Sequence, residues 1–446
     1  MIEKLFHLQA SGTTVKREIV AGCTTFMTLS YIIFVQPTVL AAAGMDAGAV
    51  MVATCVASAF AMVLMAFLAN YPIALAPAMG HNFLFAFTVC GPIATGGLGY
   101  SWQQALGAVF IAGALFILLG FVGLRETVMN VLPVSLRNAI PVGIGLLIAL
   151  IGLEWAGIVV DAPGTYVQLG KLTSAPTLLS LFGVGVIAIL FSLNVRGAIL
   201  IGILASTVVA LATGMTQFQG IVDAPPSIAP TFLKLKLNIF TEPKLIMAIF
   251  IFFFLDLFDT VGTLIGVSQQ AGLMVDGKLP KARQALLSDA IATSTGALLG
   301  TSTVTSYIES ASGISAGGRT GLTNIVTALL MLLALFFSPL IKMVGVGYQI
   351  GENAYLYPII APALIVVGSL MLRNIVHIDW DDPTESFPAF LTLLMMPLTF
   401  SITEGIAFGF ISHALLKLVS GRGKQVHWLI YLFAVLFVVR YIWPIG

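Results

Sequence analysis

Unbroken apolar runs govern what this chain can fold into. Leu106 to Val122 and Ile246 to Leu255 carry no charged side chain, and similar runs recur from one end to the other. A helix needs about 20 apolar residues to cross a bilayer. A spanning β-barrel would instead alternate apolar and polar positions over roughly 10-residue segments, so continuous runs predict helices. Composition agrees, with 59% hydrophobic residues, 9% charged residues and a mean hydropathy of +1.04; a soluble domain carries roughly 25% charged residues. Too few charges remain to cover a soluble protein of 446 residues. This excludes a soluble enzyme, a nucleic-acid-binding protein and a disordered chain. The net charge of +1 gives no sign of a nucleic-acid partner. Cys23, Cys55 and Cys90 fall inside apolar runs without metal or disulfide spacing and read as buried small hydrophobes. The apolar run from Ile19 reads as a retained first helix rather than a cleaved leader.

Fourteen membrane segments are expected, at about 18–43, 48–70, 72–91, 102–122, 136–157, 175–193 and 197–214, then 244–268, 282–299, 300–317, 320–340, 356–373, 386–401 and 403–420. A further apolar stretch, Trp428 to Trp443, is either interfacial or spanning. With the N-terminus in the cytoplasm, fourteen Lys and Arg fall in inside loops and five in outside loops, the asymmetry the positive-inside rule demands. Seven segments per half is an odd number, so a second copy would lie upside down in the membrane. The fold class expected is an all-α polytopic membrane protein with a 7+7 inverted repeat.

Segments three and ten break the helical pattern. Segment three carries Pro72, Pro77 and Gly80 within a few residues, which does not suit a continuous helix. Segment ten opens Gly300-Thr-Ser-Thr-Val-Thr-Ser, a β-branched, hydroxyl-rich stretch suited to a strand, and continues in small residues suited to a short helix. Irregular backbone at membrane depth is tolerated only where protein or a cavity covers it. Such a pair in corresponding places of two halves points to a transporter binding site.

Four acids lie well inside segments: Asp256, Asp259, Asp289 and Glu309. Each charge at the bilayer centre costs about 2.5–3.5 kcal/mol on insertion scales, so such residues tend to be functional. The i, i+3 spacing puts Asp256 and Asp259 on one helical face. Glu309 falls at the expected strand-to-helix junction. Burial favours the neutral form of a carboxyl, so Asp259 and Glu309 are candidates to carry a proton. Asp289 reads as a structural residue bonded between helices, and Asp256 and His81 are second-tier candidates. No metal-ligand, nucleotide-binding or nucleophile motif occurs, so no cofactor, metal or enzymatic chemistry is expected.

These residues carry a resemblance. Thr24-Thr25-Phe26 with Tyr31-Ile32, Tyr71-Pro72-Ile73-Ala74 with Ala76-Pro77-Ala78-Met79-Gly80-His81-Asn82, Asp256-Leu-Phe-Asp259-Thr-Val-Gly262-Thr263, Gln270-Ala-Gly-Leu-Met274, Thr305-Ser-Tyr307-Ile-Glu309-Ser310 and Met395-Met-Pro-Leu-Thr399 occur in this order. Together they resemble the AzgA-like purine permeases of the nucleobase:cation symporter group, over nearly the whole chain. The sequence departs from that pattern at His81, where the family has an apolar residue, and at Ala78, where it has glycine. The resemblance implies a core domain of 1–125 and 243–341 and a gate domain of 126–242 and 342–446. It implies a base held by Asp259 and Glu309, with Tyr307, Asn82, Thr25 and Thr263 as further contacts and Ser310 in the second tier. It also implies import of adenine, guanine or hypoxanthine by proton symport, with sodium left open as the ion. The location would be a bacterial plasma membrane, with pairing through the gate domain. Uracil, xanthine or uric acid transport on the same scaffold, or SulP-like anion transport, are the alternatives.

Overall fold

The structure is a computed structural model that describes residues 2–93, 97–122, 133–162, 164–237, 243–274, 279–351 and 355–442. Short α1 (Ile2–Phe6) precedes α2 (Val15–Leu29) and α3 (Ile32–Ala41), which together make the first span. The single long helix expected at 18–43 is therefore broken, at Ser30 and Tyr31. α4 (Ala47–Leu68) starts where Asp46 accepts a hydrogen bond from the Ala49 amide at 2.7 Å, satisfying one of the amides that a helix start leaves unpaired.

Segment three is β1 (Leu75–Pro77), then α5 (Met79–Phe83), then a π-helical turn over Leu84–Val89. α6 (Trp102–Val122) and α7 (Val134–Trp155) follow, then the hairpin β2 (Val159–Ala162) and β3 (Tyr166–Leu169), and then α8 (Ala175–Ser192) and α9 (Ala198–Ala212). The second half opens with α10 (Pro243–Gln270) and α11 (Ala282–Leu299). Segment ten is β4 (Val304–Ser306) and α12 (Ser310–Ser315), so both interrupted segments are a strand followed by a short helix. α13 (Gly321–Ala334) and α14 (Ser338–Val344) lead to the hairpin β5 (Tyr348–Gln349) and β6 (Tyr355–Leu356). α15 (Ala361–Met371), α16 (Pro383–Thr399), α17 (Ile402–Val419) and α18 (Trp428–Ile442) complete the chain.

Among the described residues, eight helical stretches are long and apolar enough to cross a membrane. α9, α15 and α18 are shorter apolar helices. The expected boundaries at 125/126 and 242/243 lie outside the described residues, and the one at 341/342 falls within α14. Cys55 is buried, Cys23 and Cys90 are half-buried, and all three are free.

The strands are the centre of the architecture. β1 and β4 pair antiparallel, with Leu75 opposite Ser306, Ala76 opposite Thr305 and Pro77 opposite Val304. The ladder extends through the Ala78 amide to the Thr303 carbonyl and the Tyr307 amide to the Ala74 carbonyl, each at 2.9 Å. Every residue of both strands is buried, so no water serves the outer edges. Side chains do so instead, as the cost of an unmet buried peptide group requires. Asp289 of α11 accepts from the Ser306 amide at 3.1 Å, and Thr293 donates to the Val304 carbonyl at 2.9 Å. Asn324 of α13 donates to the carbonyls of Tyr71 and Ile73 at 3.1 and 2.7 Å. Asp289 thus performs the structural bridging expected of it, toward a strand as well as the α10 hydroxyl of Thr260.

The ambiguous tail is resolved as a helix. α18 packs along α17, and Tyr441 near its end hydrogen-bonds Glu404 near the start of α17. The two helices therefore run antiparallel over most of their length. Phe433 of α18 also meets Phe250 and Phe254 of α10, with ring centroids 4.4 and 6.0 Å apart.

Candidate functional site

Asp259 and Glu309 come together beside the strand crossing. Asp259 sits past the middle of α10. Glu309 is the residue before α12, in helical backbone geometry, where β4 turns into the helix. The helices that carry them, α10 and α12, pack against each other. Both acids are only half-buried, although the strands beside them are fully buried.

The accessible side of α10 is continuous. Gly262 and Gly266 are exposed and Thr263 is half-buried, and a Cβ added at either glycine would meet nothing within 4 Å. Asp259, Gly262, Thr263 and Gly266 have i, i+3, i+4, i+7 spacing, which is one helical stripe. An accessible stripe therefore runs from the acid toward the Gln270 end of the helix.

The other expected residues stand behind this surface. Asp256 is fully buried one turn from Asp259 and accepts from Thr293 at 3.2 Å. The Tyr307 hydroxyl donates to the Pro77 carbonyl at 2.5 Å, tying the start of one half-helix to the other strand. Ser310 Oγ accepts from the Ala74 amide at 2.9 Å and donates to the Tyr307 carbonyl at 2.6 Å. Asn82 accepts a hydrogen bond from Ser302, whose hydroxyl also accepts from Gln36 at 3.1 Å. Thr25 is buried against α12, where a Cβ on Gly313 would collide with its hydroxyl. His81 is buried in α5, and neither ring nitrogen has a hydrogen-bond partner among the described residues. The structure thus puts Asp259, Thr263 and Glu309 on the accessible surface and Asp256, Tyr307, Asn82, Thr25, His81 and Ser310 in the wall that supports it.

Sequence reasoning missed two residues. Tyr31 donates to Glu309 Oε1 at 2.7 Å. Glu18, fully buried at the start of the first span, accepts from the start of α13. Tyr31 was visible within a motif, but its partner lies 278 residues away. A separate cleft of about 910 Å³ opens between the starts of α7, α16 and α18. Neither Asp259 nor Glu309 lines it, and its Lys417 is already paired with Glu385 at 2.8 Å and Asp382 at 3.7 Å.

A helical membrane protein with strand–helix breaks paired in its two halves has the build of a transporter. A permease family model matches residues 16–408, and the chain belongs to that permease family. The putative permease MJ0326 of Methanocaldococcus jannaschii is 50% identical over 100% of this chain and 99% of its own length. The adenine permease AdeP of Escherichia coli is 45% identical over 99% of this chain and 96% of its own length. The guanine/hypoxanthine permease PbuO of Bacillus subtilis is 43% identical over 98% of this chain and 99% of its own length. Among solved structures, the transmembrane domain of the cyanobacterial bicarbonate transporter BicA superposes with a TM-score of 0.58 at 16% identity, covering 88% of this chain and 96% of that one. SLC26A9 superposes with a TM-score of 0.62 at 12% identity, covering 90% and 66%. At such identities these structures establish the fold alone, the fourteen-segment 7+7 inverted repeat.

Proposed function

We propose that this permease imports purine nucleobases, adenine, guanine or hypoxanthine, by proton symport across the plasma membrane. The observation that carries this is the placing of Asp259 and Glu309, both half-buried, on two helices that pack together beside the strand crossing, together with whole-length relatives named for adenine and for guanine/hypoxanthine. A purine is flat and presents several N–H donors, and a carboxylate accepts two at once. A base that leaves these carboxylates unpaired is disfavoured. Two acids on the accessible face repel an anion, which disfavours anion transport on this scaffold.

A neutral base needs an external driving force. One proton moving down about 100 mV supplies about 2.3 kcal/mol, or roughly 50-fold accumulation. The proton is taken up at Asp259 or Glu309. The core (1–125 and 243–341) then moves against the gate (126–242 and 342–446) and opens the site to either side in turn. The N-terminus lies in the cytoplasm, so the open stripe of α10 leads inward, and two copies pair through the gate.

The test is uptake of radiolabelled adenine, guanine, hypoxanthine and uracil into proteoliposomes under an inward proton gradient. Purine uptake abolished by a protonophore is the expected result. Uptake that needs sodium instead replaces the ion, and uptake of uracil alone replaces the substrate.

A further inference from the structure

Tyr31 has no part in the function proposed above, yet it touches one of the two accessible acids. The first span breaks around it, with α2 ending at Leu29 and α3 starting at Ile32. At this break the phenol donates to Glu309 Oε1 at 2.7 Å, and Thr28 donates to the Glu309 carbonyl at 3.4 Å. Tyr31 is 1% exposed, whereas Glu309 is half-buried. A solute in the open region therefore meets the carboxylate and not the phenol. Glu309 makes no side-chain capping bond to its own helix, and the side-chain hydrogen bond its carboxylate accepts comes from Tyr31. A glutamate side chain loses considerable rotamer freedom when it is held; one held before the ligand arrives does not lose it on binding. A carboxylate has about four lone-pair sites, so one phenol leaves room for ring N–H donors.

We propose that Tyr31 is the positioning residue of base recognition: its buried phenol pins one carboxylate oxygen of Glu309 and leaves the other edge aimed at the ligand. This deepens the purine-transport reading and rests on it. Because the phenol is buried, no bulk water replaces it when it is removed.

The experiment is equilibrium binding of radiolabelled adenine, guanine and hypoxanthine to the purified full-length protein. Wild type is compared with Tyr31→Phe, Glu309→Gln and the double variant. Tyr31→Phe is expected to raise Kd about tenfold or more with an unchanged number of sites, and the double variant to bind no worse than Glu309→Gln alone. Wild-type affinity in Tyr31→Phe, or full additivity with Glu309→Gln, overturns the proposal. If Tyr31→Phe does not fold, 3-fluorotyrosine at position 31 preserves the packing and makes the phenol a stronger donor; an unchanged Kd then overturns it. Infrared difference spectroscopy separates this proposal from the substrate reading. The Glu309 carboxylate band, assigned with Glu309→Gln, should shift when the phenol is altered, with or without a base present. No shift refutes the positioning role. A shift in a protein that binds no purine refutes the purine reading and leaves the Tyr31–Glu309 bond standing.

Discussion

Glu18 of α2 holds the start of α13 through Thr323: its Oε2 accepts from the Thr323 hydroxyl at 2.6 Å and from the Thr323 amide at 3.1 Å. Oε1 accepts from the Arg319 amide at 2.8 Å. The carboxylate is fully buried and caps a helix start from another element. Removing it leaves several buried amides unmet, at about 1–3 kcal/mol for each group left unsatisfied. Glu18→Ala is expected to lower the melting temperature of the detergent-solubilised protein by several degrees, and Glu18→Gln by less. Unchanged melting in Glu18→Ala would show that the cap contributes nothing to stability.

The two accessible acids are expected to fail in different ways. Glu309 is held by Tyr31, whereas no hydrogen bond from another described residue reaches the Asp259 carboxylate. Held groups suit recognition and unheld ones suit proton exchange. Glu309→Gln should weaken purine binding sharply, to a Kd still measurable at high ligand concentration, in a protein that still reaches the membrane. Asp259→Asn should lose accumulation against a gradient while keeping exchange of labelled for unlabelled base. Identical loss of binding and exchange in both variants would remove the division of labour.

Glycines separate the open path from the packed wall. Gly266 faces open space, whereas a Cβ on Gly313 would collide with the Thr25 hydroxyl and lie 2.7 Å from the Ala21 carbonyl. Gly266→Leu should therefore fold normally and block uptake. Gly313→Ala should cost about 1–3 kcal/mol of stability through overpacking, read as a lowered melting temperature. A Gly266→Leu protein that transports at the wild-type rate would mean that the open stripe is not the path.

Asp382 gives the acid limb of stability. It accepts from the Thr384 amide at 2.9 Å and the Thr384 hydroxyl at 2.8 Å. These bonds, with Lys417 and Arg422 beside it, hold its carboxyl down from the ordinary value of 3.8 to about 2. A carboxyl with a lowered folded-state pKa stabilises the fold at neutral pH, and that contribution fades as pH falls from about 4 through about 2. Asp382→Asn should flatten the fall in melting temperature over that window and leave the rest of the pH profile unchanged. An equally steep fall in the variant would assign the acid limb to other groups.

Much of this was legible in the chain, for local reasons. Spans follow from the length and composition of single segments. The strand–helix breaks follow from Pro72, Pro77 and Gly80 in one segment and the hydroxyl-rich run before Glu309 in the other. Asp259 and Glu309 stand out because a carboxyl in an apolar run is costly unless it is used. The hairpin β2–β3 is marked in the chain only by the turn signal Asp161-Ala-Pro-Gly164, because its strands lie between the apolar runs.

Contiguous residues carry the class of protein: its spans, its interrupted pair and the acids within them. Which acid is held, and by what, depends on how distant helices pack. Tyr31 meets Glu309 across 278 residues, Glu18 meets Thr323 across 305, and α18 docks its Phe433 on Phe250. The physical reason is that a hydrogen bond or ring contact requires atoms within a few ångströms. For residues this far apart in the chain, only the packing of intervening helices brings them that close, and no local periodicity encodes it.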